Sequence, residues 1–343
     1  MKLFRNKKNI WSAIKKRHPD GLFVLAPMAD VTDNPFRRVL SEIGPPDVYW
    51  TEFVAADGLA HPKGQKRLLR LLSYEKDQRP IIAQIFSGNP KNIEIAARLC
   101  RKKGFDGVDI NTGCPQRNIL KQMCGSELIK QENRELAGAI IAAARKGAGN
   151  IPVSVKTRIG FNSIDMSWIE FLLEQKLPVL TIHLRTKKEM SKVPAHWELM
   201  TEIREMRDRI SPETLIIGNG DVLTHEQGQK LIDEHGIDGV MIGRGVFNNP
   251  WIFNPDVDPD EKGREERVKI AMRHGEYFES EFGETDANKK EFAGRIRSFH
   301  LMKKFYKVYI QGFPGARELR TEMMQCKDFD EVRNLLSLKK NEI

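Results

Sequence analysis

"DGVDINTGCPQRNILKQMCGSELIK", residues 106–130, decides how the chain is read. It begins as a short buried strand, residues 107–110, and breaks at once into Asn-Thr-Gly-Cys-Pro. Gly113 lets the backbone turn sharply out of the strand, and Pro115 restricts Cys114 to an extended conformation. A strand that stops on an amide, a glycine and a conformationally fixed thiol carries chemistry at its C-terminal end.

Strands of this kind recur on both sides of it. Short apolar runs at residues 22–26, 47–52, 81–86, 107–110, 153–156, 179–183, 215–218 and 239–242 alternate with amphipathic helical patterns such as "NPKNIEIAARLCRKKG" and "NRELAGAIIAAARKGAG". The second of these ends in glycines that suit a C-cap. Eight βα units over about 250 residues are what a (β/α)8 TIM barrel requires. A doubly wound open sheet fits less well, because no G-x-G-x-x-G follows the first strand. After "NNPWIF" the stretch "NPDVDPDEKG" reads as a linker, and from about residue 262 the strand pattern stops. The expected organisation is a basic N-terminal segment at 1–20, an α/β TIM barrel at 21–255, and a small all-helical C-terminal domain at 262–343.

Composition narrows the class. The 343 residues are 40% hydrophobic, enough for one large domain and a small one. No apolar run reaches the ~18–20 residues that span a bilayer, and the basic start lacks the apolar core of a signal peptide, so a cytoplasmic protein with no membrane association is expected. Cys100, Cys114, Cys124 and Cys326 form no C-x-x-C pair. Their spacing suits neither zinc nor a disulfide framework, so no metal is expected, and Cys100 and Cys326 read as small buried hydrophobes. The net charge is +9 and is concentrated at the two ends. Residues 1–20 hold seven Lys/Arg against one Asp, and residues 289–320 hold nine against two Glu. That distribution favours a polyanionic partner such as nucleic acid.

In a barrel of this kind, chemistry sits at the C-terminal ends of the strands. Those ends carry, in order, Ala26-Pro27-Met28, Thr51-Glu52, Gln84, Asn111-Thr112-Gly113-Cys114, Lys156-Thr157-Arg158, His183-Leu184-Arg185, Asn219-Gly220-Asp221 and Gly243-Arg244. One polar strand end would mean little. Gln, Asn, Lys and His on consecutive strands have no purely structural reason to share one mouth. "GNGDV" and "GRGVF" are glycine-rich turns after strands seven and eight, where backbone N–H groups suit a phosphate and Arg244 adds charge. Lys156 supplies a cation, while Gln84 and Asn111 both donate and accept. Together they suit flavin mononucleotide (FMN), a flat N/O-rich ring that becomes anionic when reduced.

"LAPMADVTDNPFRR", "AQIFSGNP", "DGVDINTGCP", "VKTRIGF", "IHLRT", "IGNGDV" and "GVMIGRGVFNNPWIF" follow one another at these strand ends. In that order they resemble the tRNA-dihydrouridine synthase family, over roughly residues 20 to 325. "HLMKKFYKVYIQGFPGARELR" resembles that family's tRNA-contacting helical domain. The resemblance implies an FMN enzyme that reduces the C5–C6 bond of uridine in tRNA, with NADPH as reductant. Hydride goes from flavin N5 to C6, and Cys114 protonates C5. By the same resemblance Pro27 and Met28 would pack against and hydrogen-bond the flavin ring through backbone and side chain, and Gln84 and Lys156 would bind it. Asn111 would lie near the ring or the uracil, and His183 near the flavin or its phosphate. Asn219, Gly220, Asp221, Gly243 and Arg244 would surround the phosphate, and Arg185 would meet substrate. Phosphate contacts to tRNA would come from Arg295, Arg297, Lys303, Lys304, Lys307, Arg317 and Arg320. Phe305, Tyr306 and Tyr309 follow helical spacing and read as core.

Three positions depart from the family pattern. Leu184 stands where a glycine is usual, Met123-Cys124-Gly125-Ser126-Glu127 replaces G-x-G-A/S, and His196 replaces an Asp before Trp197. The first two bear on loop shape and tRNA preference. Cys124 is expected to be a bystander on a mobile loop. A monomer is expected. The competing readings are a small-molecule FMN oxidoreductase of dihydroorotate dehydrogenase type, which would not need the basic helical tail, and a non-catalytic RNA-binding barrel.

Overall fold

The computed structural model describes residues 10–292 and 294–339. Nine parallel strands form its sheet: β1 (Leu22–Leu25), β2 (Tyr49–Trp50), β3 (Val54–Ala55), β4 (Ile81–Phe86), β5 (Gly107–Asn111), β6 (Val153–Arg158), β7 (Val179–His183), β8 (Leu215–Asn219) and β9 (Gly239–Ile242). The order is β1-β9-β8-β7-β6-β5-β4-β2. A parallel bridge from Val24 to Val48 joins the two ends into a barrel. All eight expected strands are present. β3 is a second piece of the second strand: β2 pairs with β4 at Ile81 and Ile82, and β3 pairs with it at Ile85 and Phe86. Residues 51–53 interrupt the pairing, and Glu52 accepts a hydrogen bond from Asp30 N at 2.5 Å there.

Side chains alternate between the barrel interior and its outer face. The lower interior is apolar. Leu22, Val24, Val48, Trp50, Ile82, Val179, Ile217 and Met241 form one buried cluster with Ile10, Trp11 and Ile14. Those last three come from the helix Ile10–Arg17, inside the segment that charge alone marked as a polyanion contact. The helix closes the bottom of the barrel, with the Trp11 and Trp50 rings 5.9 Å apart. Its Lys15 pairs with Asp238 at 3.2 Å. Residues 1–9 of that basic segment lie outside the described residues. Above the apolar layer the interior turns polar, beginning with Gln84, Asp109, Ser154 and Thr181, all buried.

The helix Arg134–Ala148 ends as its glycines suggested: Gly149 has φ 61° and its N–H donates to Arg145 O at 2.9 Å. Gly147 serves packing instead, since a Cβ there would stand 2.1 Å from Glu94 O.

The chain forms two compact units. Among the described residues, one holds those up to Thr32 and from Pro46 to Gly243, and the other holds Asp33–Pro45 and those from Arg244 on. The division therefore falls at Gly243, ahead of the 255–262 linker. Aromatic packing is the reason. The helix Asn34–Ile43 places the Phe36 ring 5.1 Å from Phe305 and 5.7 Å from His274. In the same unit the Arg267 guanidinium lies 5.2 Å from the Trp251 ring.

The second unit is helical throughout its C-terminal part. Helices span Arg264–Phe282, Asp286–Phe292, Ala316–Gln325 and Phe329–Lys339. The long pattern that begins at Asn288 is not one helix. Gly294, at φ 129°, follows the end of the second helix, and the chain resumes as a 3-10 turn at Phe299–Phe305 and a short helix at Tyr306–Tyr309. Phe305, Tyr306 and Tyr309 are core, each no more than 3% exposed.

Candidate active site

β4, β5 and β6 stand side by side, with Gln84 opposite Asp109 and Asn111 opposite Lys156. Their inward side chains are linked. Gln84 Nε2 donates to Asp109 Oδ2 at 2.7 Å, and Asn111 Nδ2 donates to Gln84 Oε1 at 3.0 Å. Ser154 Oγ donates to the other oxygen of Asp109 at 2.5 Å. Lys156 Nζ reaches across β7 to Asn219 Oδ1 at 3.0 Å, and Asn219 Nδ2 is anchored on Met241 O at 2.8 Å. The structure thus brings Gln84, Asn111, Lys156 and Asn219 into one mouth. Asp109 is the member that reading the sequence missed. The signal was present, an acidic residue two positions before Asn111 in an otherwise buried strand, because charges are rarely buried without a task.

The electrostatics follow from burial. Asp109 is pushed up to about 6 by loss of solvation, against the bonds from Gln84 and Ser154 and the charge of Lys156. Lys156 is pushed down to about 8, first by burial and then by Arg158, with Asp109 opposing. The mouth therefore holds its cation and its carboxylate near their points of neutralisation at physiological pH.

Cys114 lies at the rim, 8% exposed, against Phe86, Ile119 and Cys124. Its N–H donates to Asn111 Oδ1 at 2.9 Å, and its carbonyl accepts from both N and Oγ of Ser126 at 3.0 Å. Burial raises the thiol pKa, opposed by a backbone bond from Gln116 and the charges of Arg158 and Lys156. The thiol is thus held protonated at neutral pH. Cys124, expected to be a bystander on a mobile loop, is fully buried and donates to Ile119 O at 3.2 Å, with its pKa pushed up to about 12 by burial. Cys100 and Cys326 are buried as well.

Arg158, placed at a strand end but given no role from the sequence, is a second such residue. Its Nε donates to Gly113 O at 2.8 Å and its Nη1 to Thr186 O and Met190 O at 3.1 and 3.0 Å. Burial pushes it down to about 10. The signal was its spacing: Ser154, Lys156 and Arg158 share one face of β6.

Around the other half of the mouth, Arg185 donates through Nη2 to Asp221 and through Nε to Val193 O at 2.6 Å. Its Nη1 stands 3.3 Å from His183 Nε2, which must accept because a guanidinium only donates. Ala195 N also donates to Asp221, at 3.0 Å. Gly220 has φ 137°, and a Cβ there would stand 2.7 Å from Ala195 Cβ, so only glycine fits. Arg185 is thus committed within its own loops. Leu184 is buried and tied by its N–H to Asn219 O at 2.9 Å. His196, beside Glu189 at 3.1 Å and Glu198 at 2.9 Å, is raised by its bond to Glu189.

Pro27 is buried and Met28 half-buried. The Met28 backbone closes its own turn, with N–H on Thr32 Oγ1 at 2.9 Å and carbonyl accepting from Thr32 N at 3.0 Å. That leaves its side chain, which packs beside Gly243. Arg244 opens the second unit.

Most of the second unit's expected phosphate contacts have partners inside that unit. Arg295 pairs with Glu279 at 2.6 Å and Arg297 with Asp33 at 3.4 Å. Lys303 donates to Met324 O at 2.7 Å, and Arg320 to Ile310 O. Lys304 lies over the Phe305 ring at 5.8 Å. Lys307 and Arg317 are exposed.

Residues 24–342 match the family model described as dihydrouridine synthase. A probable tRNA-dihydrouridine synthase of Staphylococcus aureus (strain COL) is 41% identical over 332 residues, 96% of this chain and 95% of that protein. Probable tRNA-dihydrouridine synthase 2 of Bacillus subtilis (strain 168) is 41% identical over 331 residues, 96% of each. Among solved structures, a mutant morphinone reductase in complex with tetrahydroNAD superposes with a TM-score of 0.50 at 12% identity, over 67% of this chain and 85% of that one. Histamine dehydrogenase from Rhizobium sp. 4-9 gives 0.50 at 13% identity, over 74% of this chain and 48% of that one. At such identities the solved structures speak to the barrel fold alone, whereas the sequence match spans nearly the whole chain. The chain belongs to the tRNA-dihydrouridine synthase family of oxidoreductases.

Proposed function

We propose that the enzyme binds FMN at the C-terminal mouth of the barrel, takes reducing equivalents from NADPH, and converts a uridine of tRNA to 5,6-dihydrouridine with Cys114 as proton donor. The observation that carries this reading is the Cys114 thiol itself: rim-placed, backbone-anchored on both sides, and kept protonated by its surroundings.

The residues present fit a flavin. Gln84, Asn111 and Lys156 offer donors and a cation from three adjacent strands, and the buried Thr181 Oγ1 has no partner among the described residues. When bound and reduced, FMN supplies a hydride to C6 of the uracil. Lys156 offsets negative charge at the ring's pyrimidine edge, and Gln84 and Asn111 read that edge. Met28 and Pro27 line it through side-chain packing. Arg185 neutralises Asp221, which leaves the turn at Gly220, with Gly243 and His183, free of excess negative charge for a phosphate. Asn219 acts one step back, by holding Lys156.

Addition of hydride at C6 leaves negative charge at C5 and the C4 carbonyl. Cys114 gives its proton to C5 there, which requires an approach of about 3–3.5 Å. The target base must leave its stack to enter. Lys307 and Arg317 are the exposed cations best suited to tRNA phosphates; Arg295, Arg297, Lys303, Lys304 and Arg320 would have to share charges that already have partners.

Mapping dihydrouridine in tRNA from cells with and without this protein tests the reading directly. One or more positions should revert to uridine in its absence. Purified protein should be yellow, and its tRNA affinity should fall steeply with salt. A colourless protein that leaves the tRNA unchanged would sink the proposal.

A further inference from the structure

We infer that Asp109 is a positioning residue. Its carboxylate fixes which way the amides of Gln84 and Asn111 face and, through them, the backbone that carries Cys114.

The argument is one of donors and acceptors. An amide side chain is nearly symmetric in shape, so packing alone does not tell its oxygen from its nitrogen. A carboxylate can only accept. With Asp109 fully buried, both its oxygens are claimed by donors, Ser154 Oγ at 2.5 Å and Gln84 Nε2 at 2.7 Å. Gln84 must then turn its carbonyl the other way, where it accepts from Asn111 Nδ2 at 3.0 Å. That commits Asn111 in turn. Its nitrogen faces Gln84, and its oxygen accepts from Gly113 N at 3.1 Å and Cys114 N at 2.9 Å. Each link agrees with the one before it, and the relay is pinned at both ends, by a carboxylate that only accepts and by backbone N–H groups that only donate. Were Gln84 to turn over, Asn111 would have to turn too, and two backbone N–H groups would face an NH2. Such buried mismatches are costly enough to loosen a short turn.

The hydrogen-bonded route from Asp109 to the Cys114 backbone runs through Gln84 and Asn111, so its effect there is transmitted. The catalytic consequence rests on the role proposed for Cys114; the orientation itself does not. The second amide hydrogens of Gln84 and Asn111 are the ones this relay leaves for the ring or the uracil. The same device therefore sets what both amides can recognise.

A double-mutant cycle tests it, read by mass spectrometry as the alkylation rate of Cys114 by iodoacetamide in the folded, purified protein. Buried Cys124, outside the relay, serves as internal reference. Asn111→Asp places a carboxylate against the fixed Gln84 carbonyl and should raise the Cys114 rate about tenfold. Adding Asp109→Asn frees Gln84 to turn and donate to position 111, so the double variant should return to within about threefold of wild type. If the two substitutions instead compound each other, the inference fails. Ser154→Ala guards against poor folding of the Asp109 variants. It removes one bond to Asp109 but leaves Gln84 oriented, so the Cys114 rate should not change. A rise there would mean that Asp109 merely stabilises the barrel, and would overturn the inference. Because the readout is thiol reactivity, its failure is distinguishable from a failure to find dihydrouridine.

Discussion

Arg158 Nε lies 2.8 Å from the carbonyl oxygen of Gly113, so the residue that ends β6 holds the turn that carries the thiol from β5. The same guanidinium also gathers Thr186 O and Met190 O. Three loop carbonyls from two βα connections thus depend on one planar fork. Arg158→Ala would leave all three without their donor, at a cost of about 3–5 kcal/mol. Arg158→Lys keeps the charge but not the fork and should recover only part of it. Urea denaturation of the three proteins reads the difference. An Arg158→Lys variant as stable as wild type would show that the charge, and not the geometry, is what the loops need.

Cys114→Ala should keep the flavin and still oxidise NADPH, because the groups proposed to hold the ring lie on other residues. Formation of dihydrouridine should fall by at least about 100-fold, the usual contribution of a placed acid. Single-turnover reduction of tRNA by the prereduced variant measures this step alone. Full reduction at the wild-type rate would assign the proton to another group.

Lys156 gives a pH signature with an unusual sign. Its ammonium is lowered to about 8 in the folded protein, while an unfolded chain holds lysine near ~10.4. Between those values the unfolded chain binds more protons, so this group makes stability rise with pH. Compared with Lys156→Met, the flavin-free wild type should therefore gain stability between about pH 8 and 10. Parallel denaturation curves at two pH values on either side of that window check this. No relative gain would mean that the ammonium is solvated normally.

Ile14 is fully buried among Leu22, Val24, Trp50 and their neighbours at the bottom of the barrel. Ile14→Ala should cost about 2–5 kcal/mol, as for other large-to-small changes in a closed core. Lys16→Glu, on an exposed position of the same helix, should cost well under about 1 kcal/mol. Thermal unfolding of both variants separates a plug from a charged surface. Equal, small effects would return this helix to the role its charge suggested.

Much of the barrel was legible because its signals are local. Apolar runs bounded by turn residues marked all eight strands, and their C-terminal ends brought Gln84, Asn111, Lys156 and Asn219 to one mouth. The packing of the N-terminal helix was hidden for the opposite reason. Seven basic residues dominate its segment, whereas its burial depends on Ile10, Trp11 and Ile14 meeting residues as far off as Met241. The tail shows the same limit. Counting cations does not reveal which of them a neighbouring acid or carbonyl has already claimed, as Glu279 claims Arg295 and Asp33 claims Arg297.

By itself the sequence determined the strand order, the polar mouth and the thiol at Cys114, since each follows from residue type and spacing along the chain. Only the tertiary structure decided what governs that mouth. Asp109 and Arg158 act through bonds to residues 25 and 45 positions away. Burial turns a carboxylate and a guanidinium, ordinary on a surface, into fixed acceptor and donor. Neither distance nor desolvation is written in a single strand.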